Sequence, residues 1–374
     1  MKRLCFVFGT RPEAIKLAPV VLLSRQQPTR FEAKVCVTGQ HREMLDQMLS
    51  VFGIEPDVDF GLMQPDQSLA EVGAETLRSV SRYVHGERPD WVIVQGDTTT
   101  TAAAALGAAY CQVAIAHVEA GLRTGDRRQP FPEEINRTLV SHVADLHLAP
   151  TALARDNLLA ERIAAERIVV TGNTVVDALR SILKRLQDER PPALLELQRW
   201  HEEHVGDREM VLVTGHRRES FGAAMEQICS AIVQLAERHP ETHWVYPVHL
   251  NPNVQEPVRR ILAAQNNVEL IEPLPYDAFV WLMSKSRMIL TDSGGIQEEA
   301  PSLGVPVVVT REKTERPEGL QAGVIRLAGR GRERIVAECE SVLAAPMRTE
   351  GVENPYGDGH AAARILDALE QFQA

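Results

Sequence analysis

The sequence predicts an α/β protein with two doubly wound domains, each built on a parallel sheet that is covered by helices on both faces. Short apolar, β-branched runs alternate with helical patterns along most of the chain, which is typical of such sheets. The alternation stops between about residues 177 and 208, where a charged amphipathic stretch carries no strand pattern, and then resumes. The length of 374 residues exceeds one compact core and suits two domains.

The predicted strands follow one another at regular intervals. In the first half they lie at residues 4–8, 33–38, 91–95, 113–117, 146–149 and 168–171, and in the second half at residues 210–214, 244–248, 268–271, 288–290 and 305–309. We therefore expect a first domain at residues 1–175, a helical connection at 176–206 and a second domain at 207–355. Open α/β sheets bind ligands beyond the carboxyl ends of their strands, so we expect the two domains to face each other across a cleft.

Composition limits the class of protein. With 44% hydrophobic and 24% charged residues the chain is typical of soluble globular proteins. A formal net charge of −11 without a basic block argues against non-specific nucleic-acid binding. The five cysteines are scattered without metal-ligand spacing, and we interpret them as reduced core residues of a cytoplasmic protein. No apolar run reaches the length of a signal peptide or a membrane span, and no zinc-site pattern of histidines is present.

Residues 291–304 (TDSGGIQEEAPSLG) form the most informative segment. A strand ends in Ser293, Gly294 and Gly295 and turns directly into a helix, which leaves backbone N–H groups where small residues let a phosphate approach. We expect Glu298 and Glu299 in the first helical turn, with at least one facing neutral hydroxyls such as those of a ribose. The alternative is an ordinary strand-to-helix turn whose acids suit the helix dipole.

Cationic side chains stand at two other strand ends. Arg11 and Lys16 lie near the start of the helix after the first strand, where two cations beside a positive helix end indicate an anionic ligand. An exposed Arg and Lys on a surface helix remain the alternative. His216 follows the strand at 210–214 and precedes two arginines, which predicts an anion site.

Three carboxylates follow predicted strands or the connections after them. Asp97, Glu119 and Glu133 come from separate connections, and ionisable residues directly after buried strands are a poor choice for core packing. Carboxylates that converge on one cleft shift each other's pKa and can act as acid and base. Each of them alone could instead be a helix cap or a surface ion pair.

Eleven segments of the chain together resemble one family. They are GTRPEAIKLAPV (9–20), TGQHREML (38–45), GDTTTT (96–101), HVEAGLRTGD (117–126), PFPEEINR (130–137), TGNTVVDAL (171–179), TGHRRESFG (214–222), YPVHLNPNV (246–254), TDSGGIQEEAPSLGVPV (291–307), TERPEG (314–319) and NPYGDG (354–359). In this order they closely resemble the non-hydrolysing UDP-N-acetylglucosamine 2-epimerases.

The resemblance implies a GT-B-like fold of two Rossmann-like domains, with a last helix at residues 356–374 that crosses back to the first domain. It implies interconversion of UDP-GlcNAc and UDP-ManNAc without NAD, metal or another cofactor, in a cytoplasmic homodimer that supplies ManNAc precursors for surface polysaccharide. A second UDP-GlcNAc is implied as an activator.

The resemblance also implies roles for individual residues. The implied catalytic residues are Asp97, Glu119, Glu133, Arg137 and His216. The implied UDP-binding residues are Arg11, Lys16, His216, Phe279, Ser293, Gly294, Gly295, Glu299 and Arg316. The implied activator site comprises Gln40, His41, Arg42, Arg217 and His249. Leu274 stands where some relatives carry a Gln in the uracil-binding region, so we expect backbone groups to contact the base there.

The chemistry can be argued from the sugar itself. The C2 proton is too weakly acidic for direct removal by a carboxylate, so we expect the bond from C1 to UDP to break first and a carboxylate to take the acidified C2 proton. Three alternatives stay open: a GT-B glycosyltransferase that needs an acceptor, a hydrolysing epimerase that releases free ManNAc, and an inactive UDP-sugar sensor. The presence of all three carboxylates favours an enzyme over the sensor.

Overall fold

The computed structural model describes residues 1–39, 42–64, 67–344 and 353–372. It divides into two compact units, the first formed by Met1–Arg180 with Tyr356–Ala374 and the second by Ser181–Pro355. Across these described ranges, no helix combines the length and the apolar character that crossing a membrane requires.

The first unit contains a parallel sheet with helices between its strands. Its described strands are β1 (Lys2–Phe8), β2 (Phe31–Val37), β3 (Val58–Asp59), β4 (Trp91–Gln95), β5 (Ala114–Val118), β6 (Leu146–Ala149) and β7 (Ile168–Val170). Its described helices are α1 (Arg11–Arg25), α2 (Arg42–Phe52), α3 (Leu69–Glu87), α4 (Thr99–Tyr110), α5 (Glu133–Val143), α6 (Ala152–Ala160), the first part of α7 (Thr174–Asp188) and, at the end of the chain, α15 (Ala361–Gln371).

The strand order in this sheet is β3-β2-β1-β4-β5-β6-β7, and the neighbouring strands are parallel. Strands β1 and β4 are buried along residues 4–8 and 91–95, which explains their almost unbroken apolar sequences. The winding reverses between these two strands, where Leu4 pairs with Trp91. Such a reversal is the place where open α/β sheets bind ligands.

The C-terminal helix α15 belongs to the first unit. The Asp177 carboxylate in α7 accepts hydrogen bonds from the N–H groups of Ala361 (3.2 Å) and Ala362 (2.9 Å), and so caps the start of α15. Near the other end, Trp91 Nε1 donates to the carbonyl of Leu369 at 3.1 Å. These contacts fix α15 at both ends.

The second unit repeats the architecture. Its described strands are β8 (Met210–Thr214), β9 (His243–Pro247), β10 (Val268–Ile271), β11 (Met288–Thr291), β12 (Val307–Val309) and β13 (Ile325–Leu327). Its described helices are the end of α7, α8 (Pro192–His204), α9 (Ala223–Arg238), α10 (Pro252–Leu262), α11 (Tyr276–Ser284), α12 (Gly294–Glu299), α13 (Pro317–Gln321) and α14 (Arg332–Ala344).

The order in the second sheet is β10-β9-β8-β11-β12-β13, again with parallel neighbours. Its winding reverses between β8 and β11, where Thr214 and Thr291 pair and their hydroxyls lie 2.6 Å apart. The predicted fold class, two doubly wound parallel-sheet units, is confirmed. Strands β3 and β13 were not predicted: β3 has two residues, and Arg326 interrupts the apolar run of β13, whereas the equally short β7 and β12 are unbroken β-branched runs.

Candidate functional site

The predicted site residues follow the strands on either side of the reversal point in each sheet. In the first unit, β1 leads to Arg11 and Lys16, and β4 leads to Asp97. In the second unit, β8 leads to His216, and β11 leads to the glycine turn that begins at Ser293. The topology therefore places each set beyond the carboxyl ends of two neighbouring parallel strands.

The backbone N–H groups just before α1 are hydrogen-bonded to the carboxylate of Glu13, a residue that is 1% exposed. Its Oε2 accepts from the backbone N–H groups of Gly9 (2.9 Å) and Thr10 (2.7 Å), and its Oε1 accepts from the hydroxyls of Thr98 (2.7 Å) and Thr101 (2.9 Å). Glu13 thus ties the loop after β1 to the loop after β4. Sequence reasoning did not single it out, although the Thr10 to Glu13 spacing is that of a capping box.

Glu119 lies at the carboxyl end of β5, and its side chain contacts residues of neighbouring elements. It follows β5 with a φ of +64°, a left-handed conformation that is costly for a residue with a side chain. Its buried carboxylate forms an ion pair with Lys16 and accepts hydrogen bonds from the amides of Gln95 and, at 3.3 Å, Asn173. A Cβ added to Gly96 would lie 3.7 Å from Glu119 Oε2, so the carboxylate lies against the turn after β4.

Asp97 is held by Arg137, which is buried on α5. Arg137 Nε lies 3.0 Å from Asp97 Oδ2, a second guanidinium nitrogen contacts the same oxygen, and Nη1 lies 3.0 Å from Glu134 Oε2. Asn136 of the same helix donates to the Asp97 carbonyl at 2.9 Å. Glu133 begins α5, one helical turn before Arg137, and is half-buried. Asp97 is therefore fixed to the helix that Glu133 starts.

A buried histidine supports the same turn. His117 on β5 makes a 2.8 Å hydrogen bond through Nε2 with the Gly96 carbonyl. Burial lowers the pKa of His117 to about 4, so the ring is neutral at pH 7. His147, its neighbour on β6, is also neutral, because burial lowers its pKa to about 3. The histidine that supports the Gly96 carbonyl and its neighbour on β6 therefore add no positive charge beside this turn at pH 7.

These contacts connect most of the predicted catalytic residues of the first unit into one set. Glu119 lies against Gly96, and the next residue, Asp97, is bound through Arg137 to the helix that begins at Glu133. Lys16 joins the set through Glu119, and Arg11 lies half-buried at the start of α1.

In the second unit, the fully buried Asp292 organises the end of the sheet. Its carboxylate accepts from the backbone N–H groups of His216 (3.1 Å) and Arg217 (3.0 Å) and from the hydroxyl of Ser220 (3.0 Å). Asp292 directly follows β11, so it holds the loop after β8 against its neighbouring strand. Sequence reasoning did not single out Asp292, and its position between the end of β11 and Ser293 was the available signal.

His216 presents its ring beside a second histidine. The imidazoles of His216 and His249 are stacked, with centroids 5.7 Å apart and planes at 23°. The His216 side chain is 44% exposed, and its Nδ1 lies 3.6 Å from Asp292 Oδ1. His249 is exposed and accepts at Nδ1 from the N–H of Asn251 at 3.1 Å. The His216 ring therefore lies between Asp292 and His249, and a large part of its side chain remains exposed.

The glycine turn after β11 is packed tightly by an arginine. Ser293 is the N-cap of α12, and a Cβ added to Gly294 would lie 2.7 Å from Arg316 Nη1, so that guanidinium would have to move to accommodate it. At Gly295 an added Cβ would make an ordinary 3.5 Å contact with Glu299 Oε1. The Gly-Gly pair thus combines one position where a Cβ would displace Arg316 with one that has room for a Cβ.

Our placement of Glu298 and Glu299 in the first turn of this helix was wrong. They are the last two residues of a six-residue helix, and both are buried. Glu298 Oε1 lies 2.6 Å from Arg316 Nε, and Glu299 Oε2 accepts from the Tyr276 hydroxyl at 3.0 Å. A favourable dipole contact at the helix start therefore does not explain these acids, because each has a side-chain partner of its own.

Arg316 also contacts Glu315, the centre of a buried group of charges. Glu315 Oε2 lies 2.9 Å from Arg311 Nη1, and Glu315 Oε1 lies 3.8 Å from Arg217 Nη2. Burial acts to raise the pKa of Glu315, but Arg316, Arg311 and Arg217 outweigh it and hold this pKa well below its usual range. Glu315 is therefore ionised at pH 7 and contacts three arginines, of which Arg316 lies against the glycine turn.

The remaining predicted residues are spread over several elements. Phe279 lies half-buried on α11, in the same helix as Tyr276, and Leu274 is half-buried just before that helix. Gln40 and His41 lie outside the described residues, and α2 begins at Arg42. Several residues outside the predicted set contact it directly: Gln95 and Asn173 contact Glu119, Glu134 contacts Arg137, Asp292 accepts from His216, and Glu315 contacts Arg316.

Comparison with known proteins gives a consistent result. The family model described as UDP-N-acetylglucosamine 2-epimerase matches residues 24–370. The UDP-N-acetylglucosamine 2-epimerase of Salmonella typhimurium is 53% identical over 370 residues, covering 98% of each chain.

Solved structures agree in fold. The Neisseria meningitidis UDP-GlcNAc 2-epimerase bound to UDP-GlcNAc is similar with a TM-score of 0.93 and 45% identity, covering 98% of this chain and 99% of that one. The Methanocaldococcus jannaschii UDP-GlcNAc 2-epimerase in complex with UDP-GlcNAc and UDP has a TM-score of 0.84 and 31% identity, covering 98% and 99%. The fold is GT-B-like, and the chain belongs to the UDP-N-acetylglucosamine 2-epimerase family.

Proposed function

We propose that this protein catalyses the reversible epimerisation of UDP-GlcNAc to UDP-ManNAc at C2 without hydrolysing the nucleotide sugar. The observation that carries the proposal is the connected set of carboxylates beyond β4 and β5. Glu119 is held in a strained left-handed conformation with a cation at its carboxylate, and Asp97 is bound by a buried arginine. Backbone strain of this kind clusters at functional sites, and here it coincides with a buried carboxylate.

The order of bond changes follows from the acidity of the sugar. The C1–O bond breaks first, and its electron pair leaves with UDP. The electron-poor C1 acidifies the neighbouring C–H bond, so Asp97, Glu119 or Glu133 can take the C2 proton and leave a 2-acetamidoglucal. A carboxylate then protonates C2 from the opposite face while UDP adds back to C1, which gives the epimer.

The second unit is proposed to hold UDP and stabilise the charge that develops on it. His216 has an accessible ring, and its backbone is fixed by Asp292 next to the turn of Ser293, Gly294 and Gly295. Preorganised donors stabilise a leaving group without reorganisation, an electrostatic contribution that is usually the largest in catalysis. Arg316 contributes from its position against Gly294.

Finer parts of the proposal concern the setting of the reaction. We propose a cytoplasmic homodimer whose product supplies ManNAc for surface polysaccharide, with Arg217 and His249 in a site for a second, activating UDP-GlcNAc. Reactions started from UDP-ManNAc alone would then show a lag that a trace of UDP-GlcNAc removes. Hyperbolic kinetics without a lag would contradict the activator site.

One experiment tests the central reaction. The protein is incubated with UDP-GlcNAc in heavy water, and C2 is observed by NMR. We expect deuterium at C2 in both UDP-GlcNAc and UDP-ManNAc. Free ManNAc with UDP would indicate a hydrolysing enzyme, and turnover that needs an added acceptor without C2 exchange would indicate a glycosyltransferase.

A further inference from the structure

Two neutral amides face the Glu119 carboxylate, and the proposed mechanism gives neither of them a role. Gln95 Nε2 donates to Oε2, and Asn173 Nδ2 lies 3.3 Å from Oε1, the oxygen that Lys16 also contacts. They belong to different elements, since Gln95 ends β4 and Asn173 directly precedes α7. Donors therefore reach both oxygens of the carboxylate from three elements.

The orientation of the Asn173 amide is set by its surroundings. Its Oδ1 accepts from the backbone N–H of Val175 at 3.1 Å, so Nδ2 is the atom directed at Glu119. Its own N–H donates to the Tyr356 carbonyl at 2.6 Å, and the side chain is buried. Asn173 thus connects Glu119 to the segment that leads into α15.

Gln95 is fixed through its main chain. It is 3% exposed, and its backbone carbonyl accepts from the Thr101 hydroxyl at 2.7 Å. An amide oxygen turned toward an ionised carboxylate would be repelled, so the NH₂ group faces Glu119. The amide supplies a hydrogen bond without adding a second base beside the substrate.

We propose that Gln95 and Asn173 are positioning residues, which hold Glu119 ionised and in one orientation so that it takes the proton from the sugar C2. This inference rests on the proposed function. Three donors to one carboxylate favour its charged form and limit its rotation. Three other titratable groups lie on the neighbouring elements. Lys16 on α1 forms the ion pair with Glu119, and Asp97 after β4 is paired with Arg137. His117 on β5 makes its hydrogen bond with the Gly96 carbonyl.

The test replaces each amide by the carboxylate of the same shape. Gln95→Glu puts a second acid against Glu119 Oε2, and Asn173→Asp keeps the oxygen that caps Val175 while removing the donor to Glu119. Asn157→Asp is the matched control, because the Asn157 amide donates at 2.9 Å to the Gly121 backbone carbonyl and not to a carboxylate. The readouts are kcat/KM against pH, C2 exchange in heavy water, the Kd for UDP and thermal unfolding.

We expect both variants to bind UDP within about twofold of wild type, whereas kcat at pH 7 falls on the order of a hundredfold, as for a misplaced catalytic group. The acid limb of their pH profile should move up by about one unit, because a like charge disfavours ionisation of Glu119. The control should keep the wild-type profile.

Two results would overturn the inference and remain distinct from a failure of the proposed function. If the wild type exchanges the C2 proton and the variants lose activity equally at every pH, the amides are merely structural. If a folded variant keeps wild-type kcat, Glu119 does not depend on them. A wild type that exchanges no C2 proton would overturn the proposed function itself. Because Asn173→Asp retains the helix cap, it tests the inference even if Gln95→Glu does not fold.

Discussion

The adjacent glycines 294 and 295 allow a paired prediction about stability. Replacing glycine by alanine within a helix stabilises it by up to about 1 kcal/mol, and Gly295→Ala should show part of this gain, since its Cβ has a 3.5 Å contact. At Gly294 the new Cβ would lie 2.7 Å from Arg316 Nη1 and 2.8 Å from Cζ, and so must displace the guanidinium.

The displaced guanidinium is buried between two acids. Arg316 Nε lies 2.6 Å from Glu298 Oε1, and Glu315 contacts Nη1. Overpacking typically costs about 1–3 kcal/mol, and complete loss of one partner from a buried ion pair costs about 3–5 kcal/mol. Gly294→Ala displaces the partner without deleting it, so we expect a net loss of about 2 kcal/mol, or roughly 4–8 °C in Tm for a unit of this size.

The assay is thermal and urea unfolding of both variants beside wild type, together with the Kd for UDP. Gly294→Ala should unfold earlier, and Gly295→Ala should be at least as stable as wild type. Because Arg316 lies against the proposed phosphate position, Gly294→Ala should also weaken UDP binding. The reasoning would be refuted if Gly294→Ala were as stable as Gly295→Ala, since Arg316 would then yield without cost.

Three further predictions concern charge. Asp97→Asn, Glu119→Gln and Glu133→Gln should each lower turnover by about two to four orders of magnitude, with at least one still releasing UDP and the glycal; near-normal epimerisation by all three would place the site elsewhere. Asp292→Asn removes the charge that strengthens the bonds from three donors and buries an NH₂ group in place of one carboxylate oxygen. It should destabilise the protein by about 2–4 kcal/mol and weaken UDP binding in calorimetry, whereas unchanged stability and Kd would contradict its organising role. Burial lowers the pKa of His117 from 6.5 to about 4, so the unfolded chain binds more protons and stability falls as the pH drops from about 6.5 towards 4. His117→Gln should remove about 2 kcal/mol of the stability difference between pH 7 and 5 in urea unfolding, and an unchanged slope would show that His117 does not contribute it.

The regular part of the fold could be predicted because it depends on local patterns. The strands at residues 91–95, 146–149 and 210–214 are those predicted, since buried parallel strands have nearly unbroken apolar runs between turn residues. The short strands β3 and β13 are specified by their neighbours' hydrogen bonds rather than by their own two or three residues.

The positions of candidate residues could be predicted where a polar side chain comes directly after a strand. Asp97, Glu119, His216 and Ser293 were identified because a polar residue at the carboxyl end of a buried strand has little use in packing. Their phrases also carry the family resemblance, so one sequence signal indicated both position and family.

Partners across the chain were decided by the tertiary structure. Lys16 pairs with Glu119 across 103 positions, and Arg137 binds Asp97 across 40, because parallel strands bring distant connections to one edge of a sheet. The sequence placed Glu298 beside a helix start, but packing gave it Arg316 and a buried position. Residue types and strand ends are local properties, and the sequence determined them. Which charged residues form pairs depends on the order of the strands and on burial, so only the folded chain determines those pairs.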